Sequence, residues 1–267
     1  LRKIAYVIAP VVVAVGTLLL MVDARAGFAN PGRFFLLISN LNSVMAWGVI
    51  ILSVFLAVAV VDAVLLFVRK KTPKALDIAG MVLAVCVAAY TGVLLGDAGV
   101  SFPLWNMVIL PVLFVVSAAS TGFAAVLLVT RAVAPQEADT LSFVSTTGFA
   151  LPVLELALIA VLLVATAGVR GSAAEAAAAS VGNLLSGSYA VPFWLGLVAV
   201  GLVLPFGVEM RRQRIAAKPI AVEGVDAVGV SASAGKTLAL VGEAGVLVGG
   251  FMLRYLVIMA ALPVTLL

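Results

Sequence analysis

The chain has 267 residues, of which 64% are hydrophobic and 10% are charged, and its formal net charge is +4. No soluble core needs so much apolar surface, so the composition indicates an integral membrane protein, and the positive charge reflects basic loops rather than a nucleic-acid-binding surface. The chain has one cysteine and no histidine, which excludes bis-histidine haem ligation and a cysteine-ligated iron–sulfur cluster. We therefore expect a membrane protein that itself binds no haem and no metal.

Seven long apolar runs follow one another along the chain, and each is about long enough to cross the roughly 30 Å hydrocarbon layer as a helix. They cover about residues 4–22, 43–68, 76–95, 104–130, 141–167, 189–208 and 237–266. The predicted fold class is all-α integral membrane, with residues 1–267 forming a single transmembrane domain. The last run is long enough to tilt or to include a break near Gly249–Gly250.

Basic residues predict the orientation of these spans, because they concentrate in cytoplasmic loops. If the chain begins in the cytoplasm, 12 of the 16 Lys and Arg residues fall on that side and three on the other, while Arg254 lies inside a span. We therefore expect the loops at residues 23–48, 96–103 and 168–188 to face away from the cytoplasm.

The loop from Asp23 to Gly48 has the composition of a binding surface rather than of a plain connector between helices. It combines arginines, asparagines, a Pro-Gly pair, phenylalanines and a tryptophan. Guanidinium and amide groups can donate hydrogen bonds to carbonyl oxygens, and aromatic faces can pack on a flat ring. The candidate site residues in this loop are Asp23, Arg33, Asn42 and Trp47.

A second group of polar and aromatic residues is predicted at the same membrane face. Tyr90 and Asp97 are seven residues apart in the third span, which places a phenol and a carboxylate on one helix face. The loop that follows adds Trp105 and Asn106. An interfacial aromatic belt would explain the aromatics alone. The two groups together favour a quinone site, with an apolar slot, flat side chains and hydrogen-bond donors, and with Asp23 or Asp97 available for proton transfer.

Ionisable residues inside the spans are costly in a bilayer and are candidates for function. They are Asp62, Glu155, Glu243 and Arg254, and a further carboxylate, Asp77, lies at the start of the third span. Glu155 and Arg254 are expected at similar mid-depth, where opposite charges offset much of each other's desolvation. They form either a structural ion pair or part of a proton path. A transmembrane proton route through the four carboxylates is a weaker hypothesis.

Several motifs, in order and in the right spans, resemble the NrfD-like membrane subunits of polysulfide reductase type. They are Asp23 with Pro31-Gly32-Arg33-Phe34-Phe35, Asn42–Gly48, Tyr90–Leu95, Pro103–Asn106, Ser117–Gly122, Glu155 and Gly249–Tyr255. No single motif is decisive, but together they cover essentially the whole chain.

The resemblance implies a haem-free anchor of a multi-subunit oxidoreductase in the cytoplasmic membrane of a bacterium or archaeon. Such subunits exchange electrons between a quinone pool, of menaquinone or ubiquinone, and an extracytoplasmic iron–sulfur subunit, which is often joined to a molybdopterin-type catalytic subunit. The quinone site would lie near the outer face, with Tyr90 contacting the quinone and with Asp23, Arg33 and Asn42–Trp47 lining or shaping the site. The protein would be the quinone-reactive subunit of the enzyme, without catalysis in isolation.

The sequence departs from the pattern of that family in two ways. Members typically have eight spans in two four-helix bundles, and the order of the motifs indicates that the first span is missing here. Since the chain starts at Leu1 rather than at Met, either it is truncated or this member has lost that helix. The family's loop usually reads Asp-Leu-Gly-x-Pro, whereas here seven residues separate Asp23 from Pro31, which is expected to change how the loop meets the iron–sulfur partner.

Two other functions remain open from the sequence. A secondary transporter would explain the buried charges and the interrupted spans at Pro152 and Gly245–Gly250. That interpretation also predicts inverted repeats, which the sequence does not show, and midplane substrate contacts, whereas the polar residues concentrate at one membrane face. A structural anchor without quinone chemistry would differ from the leading hypothesis in tolerating substitution of Tyr90.

Overall fold

The structure is a computed structural model that describes residues 2–23, 32, 38–69, 72–133, 142–216 and 225–264. Its long helices are α1 (Arg2–Asp23), α2 (Val44–Arg69), α3 (Lys74–Asp97), α4 (Ile109–Val133) and α5 (Ser142–Ala167). They are followed by the short α6 (Ala174–Leu185), by α7, which is π-helical over Pro192–Val203 and α-helical over Leu204–Ala216, and by α8 (Val225–Met259). The described residues contain no strand.

Six of these helices, α2 to α5, α7 and α8, contain stretches long and apolar enough to cross a membrane, and α1 contains a shorter apolar stretch at Lys3–Leu19. Helices satisfy their backbone polar groups internally, which is what a polypeptide inside hydrocarbon requires. The protein is therefore a multi-pass helical membrane protein, and the predicted all-α integral membrane fold is confirmed.

Local hydrogen bonds set helix ends that the apolar runs did not mark. The fourth helix starts at Ile109 rather than near residue 104, because Oδ1 of Asn106 accepts the backbone N–H groups of Val108 and Ile109 at 2.9 and 3.1 Å, as a helix cap does. The last helix starts at Val225, before the predicted 237, passes through Gly249–Gly250 without a break and ends at Met259.

The segment beyond α8 is held by two hydrogen bonds rather than by a further helical turn. The N–H of Leu262 donates to Oγ of Ser180 at 2.9 Å, and the N–H of Val264 donates to the carbonyl oxygen of Ser101 at 2.8 Å. These bonds join this segment to α6 and to the loop between α3 and α4. The short helix α6 begins at Ala174 without a hydrogen bond from a capping side chain.

The helices pack as two rings that share α4. Ring one consists of α1, α2, α3 and α4, and ring two consists of α4, α5, α7 and α8, with each helix contacting the next around its ring. We name the two ends of the bundle after the ends of α3, the Lys74 end and the Asp97 end. Because the two rings share α4, they are direct neighbours, and the side chain of Arg254 in ring two reaches the interior of ring one.

The hydrophobic core lies in ring two. Its buried residues come from α4, α5, α6, α7, α8 and the loop before α4: Leu104, Leu110, Leu113, Phe114, Ile159, Leu162, Leu184, Phe193, Leu197, Leu202, Leu253, Leu256, Val257 and Ala260. Within this ring α7 and α8 approach so closely that a methyl group on Gly201 would overlap the backbone of Gly249. Glycine at both positions is therefore what permits this packing distance.

Candidate functional site

Tyr90 lies near the Asp97 end of α3, with its ring directly against the backbone of α2. A methyl group on Gly48 would overlap both the ring and the hydroxyl of Tyr90, so the absence of a side chain there makes room for the phenol. The next residue toward the preceding loop, Trp47, is 52% exposed, and its indole N–H donates to the carbonyl oxygen of Leu41 at 2.9 Å. The structure thus brings a phenol and an exposed indole to one end of the ring one helices.

The other predicted residues of this end are Asn42, Asp97, Asp23 and Arg33. Asn42 is exposed, and its backbone N–H donates to Oδ1 of Asn40 at 3.3 Å. Asp97 is the exposed last residue of α3, seven residues after Tyr90 in the same helix. Asp23 ends α1, but its side chain, like all of Arg33, lies outside the described residues.

Trp105 and Asn106 hold the loop between α3 and α4 in place. The indole N–H of Trp105 donates to the carbonyl oxygen of Val257 in α8 at 2.8 Å, and its ring stacks on Phe102 with centroids 4.2 Å apart. Asn106 caps α4, as described above. Both side chains therefore have a structural part in ring two, which the sequence alone did not indicate.

Arg254 of α8 reaches the interior between the two rings. Its Nη1 donates to the carbonyl oxygen of Gly250 at 2.8 Å and to Oγ of Ser117 at 3.4 Å, and the guanidinium lies 5.6 Å from the ring centre of Phe114. Ser117 and Arg254 both interact with the buried carboxylate of Glu155. Among the described residues, Ser117 rather than a direct ion pair links the two charges, which still compensate each other.

Asp62 and Asp77 lie together at the Lys74 end of ring one. They line a cavity of about 210 Å³ between α1, α2 and α3, together with Tyr6 and Gly80. Asp77 accepts hydrogen bonds from the hydroxyl of Tyr6 and, at 2.7 Å, from that of Thr72. Two carboxylates and a phenol therefore share one cavity at the end opposite to Tyr90.

Ring two contains a buried ion pair that the sequence did not predict. Nε of Arg131 lies 2.6 Å from Oε1 of Glu243, and both side chains are at most 10% exposed. Glu243 and the buried Glu209 line a cavity of about 60 Å³ between α4, α5, α7 and α8. Arg131 directly follows an apolar run and is one of the 12 basic residues expected on the cytoplasmic side. No signal in the sequence pairs it with Glu243.

The described residues offer hydrogen-bond donors beside apolar surfaces. They contain no group of three or more His, Cys, Asp or Glu side chains that could hold a metal. Hydroxyl and guanidinium donors lie beside apolar surfaces at Tyr90 and Arg254.

These features define a class: a multi-pass helical membrane protein with ionisable side chains buried between two rings of spans. The family described as "Polysulphide reductase, NrfD" matches residues 1–265, and the protein belongs to this family. It is 31% identical over 225 residues to the C chain of polysulfide reductase from Wolinella succinogenes, an alignment that covers 76% of the present sequence and 68% of that relative.

A second relative shows the same relation at slightly lower similarity. The "Protein NrfD homolog" of Haemophilus influenzae is 28% identical over 208 residues, which covers 68% of the present sequence and 63% of the homologue. The sequence thus spans about two thirds of the length of both relatives. No solved structure matches it. The sequence resemblance to NrfD-like subunits is confirmed.

Proposed function

We propose that the protein is the quinone-binding membrane subunit of an oxidoreductase complex. In this complex electrons pass between quinol or quinone in the bilayer, of the menaquinone or ubiquinone type, and an iron–sulfur subunit at the Asp97 end. A molybdopterin-type subunit would complete the enzyme. Membership of the family supports this proposal, as does the name of the relative in Wolinella succinogenes.

The observation that carries the proposal is the position of Tyr90 on the backbone of Gly48. Its hydroxyl can donate a hydrogen bond to a carbonyl oxygen or pass a proton, and Trp47 lies one residue from that contact. A bound quinol supplies electrons and protons. Tyr90 would orient its ring, and Asp97 at the exposed end of α3 would release protons to water. Asp23, Arg33 and Asn42 would complete the site from the loop between α1 and α2.

The proposal includes an orientation of the protein in the membrane. The excess of basic residues in the loops of the Lys74 end favours the cytoplasm for that end of a bacterial or archaeal cytoplasmic membrane. The Asp97 end would then face away from the cytoplasm, where the iron–sulfur subunit would dock.

Proton translocation is a finer part of the proposal, favoured by the cavities of ring one. The cavity at Asp62 and Asp77 and a second cavity at Arg254 share two lining residues, Phe55 and Ala84. Protons from the Lys74 end would therefore enter near the two carboxylates and reach the interior beside Glu155. Glu243 lies in ring two with Arg131, so we assign it to a structural ion pair rather than to this route.

The experiment that tests the proposal measures quinol oxidation by the purified native complex with Tyr90→Phe. Removal of a group that transfers a proton or orients the ring is expected to lower kcat/KM about 100-fold. The matched control is Tyr255→Phe, because Tyr255 is an exposed tyrosine of α8 whose ring packs on Phe251. It should retain wild-type turnover.

The subunit composition of each purified variant completes this test. An intact complex that oxidises quinol at the wild-type rate with Phe at position 90 would contradict the assignment of Tyr90. If the wild-type complex neither bound nor oxidised any quinol, the proposed function would be wrong, and the protein would be a structural anchor.

A further inference from the structure

A cavity of about 290 Å³ lies inside ring one at the depth of Arg254. Its walls come from α1, α2, α3, α4 and α8 and are formed by Val13, Phe55, Ala84, Val87, Ala88, Thr91, Ala118 and Arg254. Most of these side chains are apolar, and the guanidinium is the one charged group among them. The cavity is distinct from the position of Tyr90, whose ring packs against α2 at Gly48.

The guanidinium of Arg254 has donors left over at this cavity. Both of its hydrogen bonds use Nη1, and Nε and Nη2 donate to no acceptor among the residues that the structure describes. Unsatisfied polar groups at membrane depth are costly, because neither lipid tails nor apolar side chains can accept a hydrogen bond. A guanidinium also stays protonated in a protein. The position therefore calls for an acceptor inside the cavity.

The size and the lining residues of the cavity limit which molecule can supply this hydrogen-bond acceptor. Its volume is close to the lower end of ligand pockets, which occupy roughly 300–1,000 Å³. The alanines at 84, 88 and 118 leave space for a flat ring. The adjoining cavity of about 210 Å³ shares Phe55 and Ala84 with it. A lipid-soluble molecule with a carbonyl on a ring fits these properties.

We propose that this cavity binds the ring of a prenylated quinone, with a carbonyl oxygen accepting from Arg254. The inference rests on the proposed function and adds to it a second, deeper position for the same ligand class. Charge-assisted hydrogen bonds are stronger than neutral ones, so Arg254 sets the affinity of this position. Glu155, through Ser117, holds the guanidinium in place and is a positioning residue.

The test measures quinone binding to the purified complex in nanodiscs made from quinone-free phospholipid. Decylubiquinone and 2,3-dimethyl-1,4-naphthoquinone are titrated as probes, and an azido-quinone identifies the labelled peptides. Phospholipid ester carbonyls are present throughout in large excess, so saturable binding of the probes distinguishes a quinone site from one filled by lipid. Labelling of α1 or α3 beside Val13 or Ala88 is expected.

Two variants test the cavity by different means. Arg254→Gln removes the charged donor and is expected to raise the Kd of the probe about 10- to 100-fold. Arg254→Gln also removes the partner of Glu155, so the complex could fail to assemble. Ala88→Leu avoids this difficulty, because it fills the cavity without changing any charge. That variant should raise the Kd at least about tenfold. The matched control is Ala157→Leu on the exposed face of α5, which should bind as wild type.

The possible outcomes separate this inference from the proposed function. Wild-type affinity and unchanged labelling in the Ala88→Leu complex would overturn the deep position, and the cavity would then contain only water or lipid. If Tyr90→Phe still lowered kcat/KM for quinol about 100-fold in that case, the proposed function would stand. A wild-type complex that binds neither probe saturably would remove both.

Discussion

Ring one and ring two use the same kind of apolar helix in opposite ways. In ring two 44% of the apolar stretch of α8 is buried, whereas in ring one the figure for α3 is 6%. The cavities follow the same division, with volumes of about 290 and 210 Å³ in ring one and about 60 and 20 Å³ in ring two. One ring is a packed scaffold, and the other surrounds open interior space.

The difference in packing between the two rings indicates which residues stabilise the protein and which are available to bind ligands. Small side chains such as Ala84, Ala88 and Gly80 leave the interior of ring one unfilled, whereas leucines and phenylalanines interdigitate in ring two. Changes in ring two should therefore act mainly on stability. Changes in ring one should act mainly on quinone-linked turnover.

The ion pair of Arg131 and Glu243 should give the largest effect on stability. Arg131→Leu takes a buried opposite charge away from Glu243 and is expected to destabilise the protein by about 3–5 kcal/mol. The measurement is denaturant-induced unfolding of the purified complex in detergent. The double variant Arg131→Leu with Glu243→Leu should recover most of the loss.

Glu175→Gln is the control for this ion pair, because Glu175 lies exposed on α6 and should change stability by less than about 0.5 kcal/mol. If Arg131→Leu left stability unchanged, ring two would not depend on its buried charges, and this ion pair would not distinguish it from ring one.

The contact between Gly201 and Gly249 tests how tightly ring two is packed. In Gly201→Ala the added methyl group meets backbone rather than a flexible side chain, so the two helices must move apart at a cost of about 1–3 kcal/mol. Gly207→Ala is the matched control on the same helix, where no atom lies within 4 Å of the added group. It should be neutral or slightly stabilising. Equal stability of the two variants would show that α7 and α8 can separate freely.

Gly48→Ala makes the corresponding change in ring one. The methyl group would displace the ring of Tyr90, and a misplacement of about 1 Å can cost up to about 100-fold in rate. We expect kcat/KM for quinol to fall about tenfold, equal to roughly 1.4 kcal/mol of transition-state energy, with little loss of stability. Gly122→Ala, which has open space around it, serves as the control. A large loss of stability with normal turnover would reverse the roles of the two rings.

The all-α membrane fold could be predicted from the sequence because a run of about 20 apolar residues has few alternatives to a membrane helix. Helix ends were less predictable. The start of α4 depends on the cap at Asn106, and the end of α8 depends on hydrogen bonds to Ser180 and Ser101. Such contacts leave no trace in hydropathy.

The candidate site could be predicted only in part, for the same physical reason. A charge inside an apolar run stands out, so Asp62, Glu155 and Arg254 were found. The partner of a buried charge is set by packing between helices distant in sequence, and Arg131 and Glu243 are 112 residues apart. Helical spacing predicts that Asp97 shares a face with Tyr90, but it does not predict that Asp97 is exposed at the end of α3. Periodicity gives the face of a helix and not which neighbour covers it.

Trp105→Phe is the finest test of the comparison, because the sequence assigned Trp105 to the quinone whereas its contacts belong to ring two. Phe retains a ring that can stack on Phe102 but loses the hydrogen bond to the carbonyl oxygen of Val257. A lost hydrogen bond of this kind costs about 1 kcal/mol, so unfolding should shift by that amount while KM for quinol stays unchanged. If Trp105 contacted the quinone instead, KM would rise without a comparable loss of stability. The quinone site would then include the loop before α4 in addition to α3.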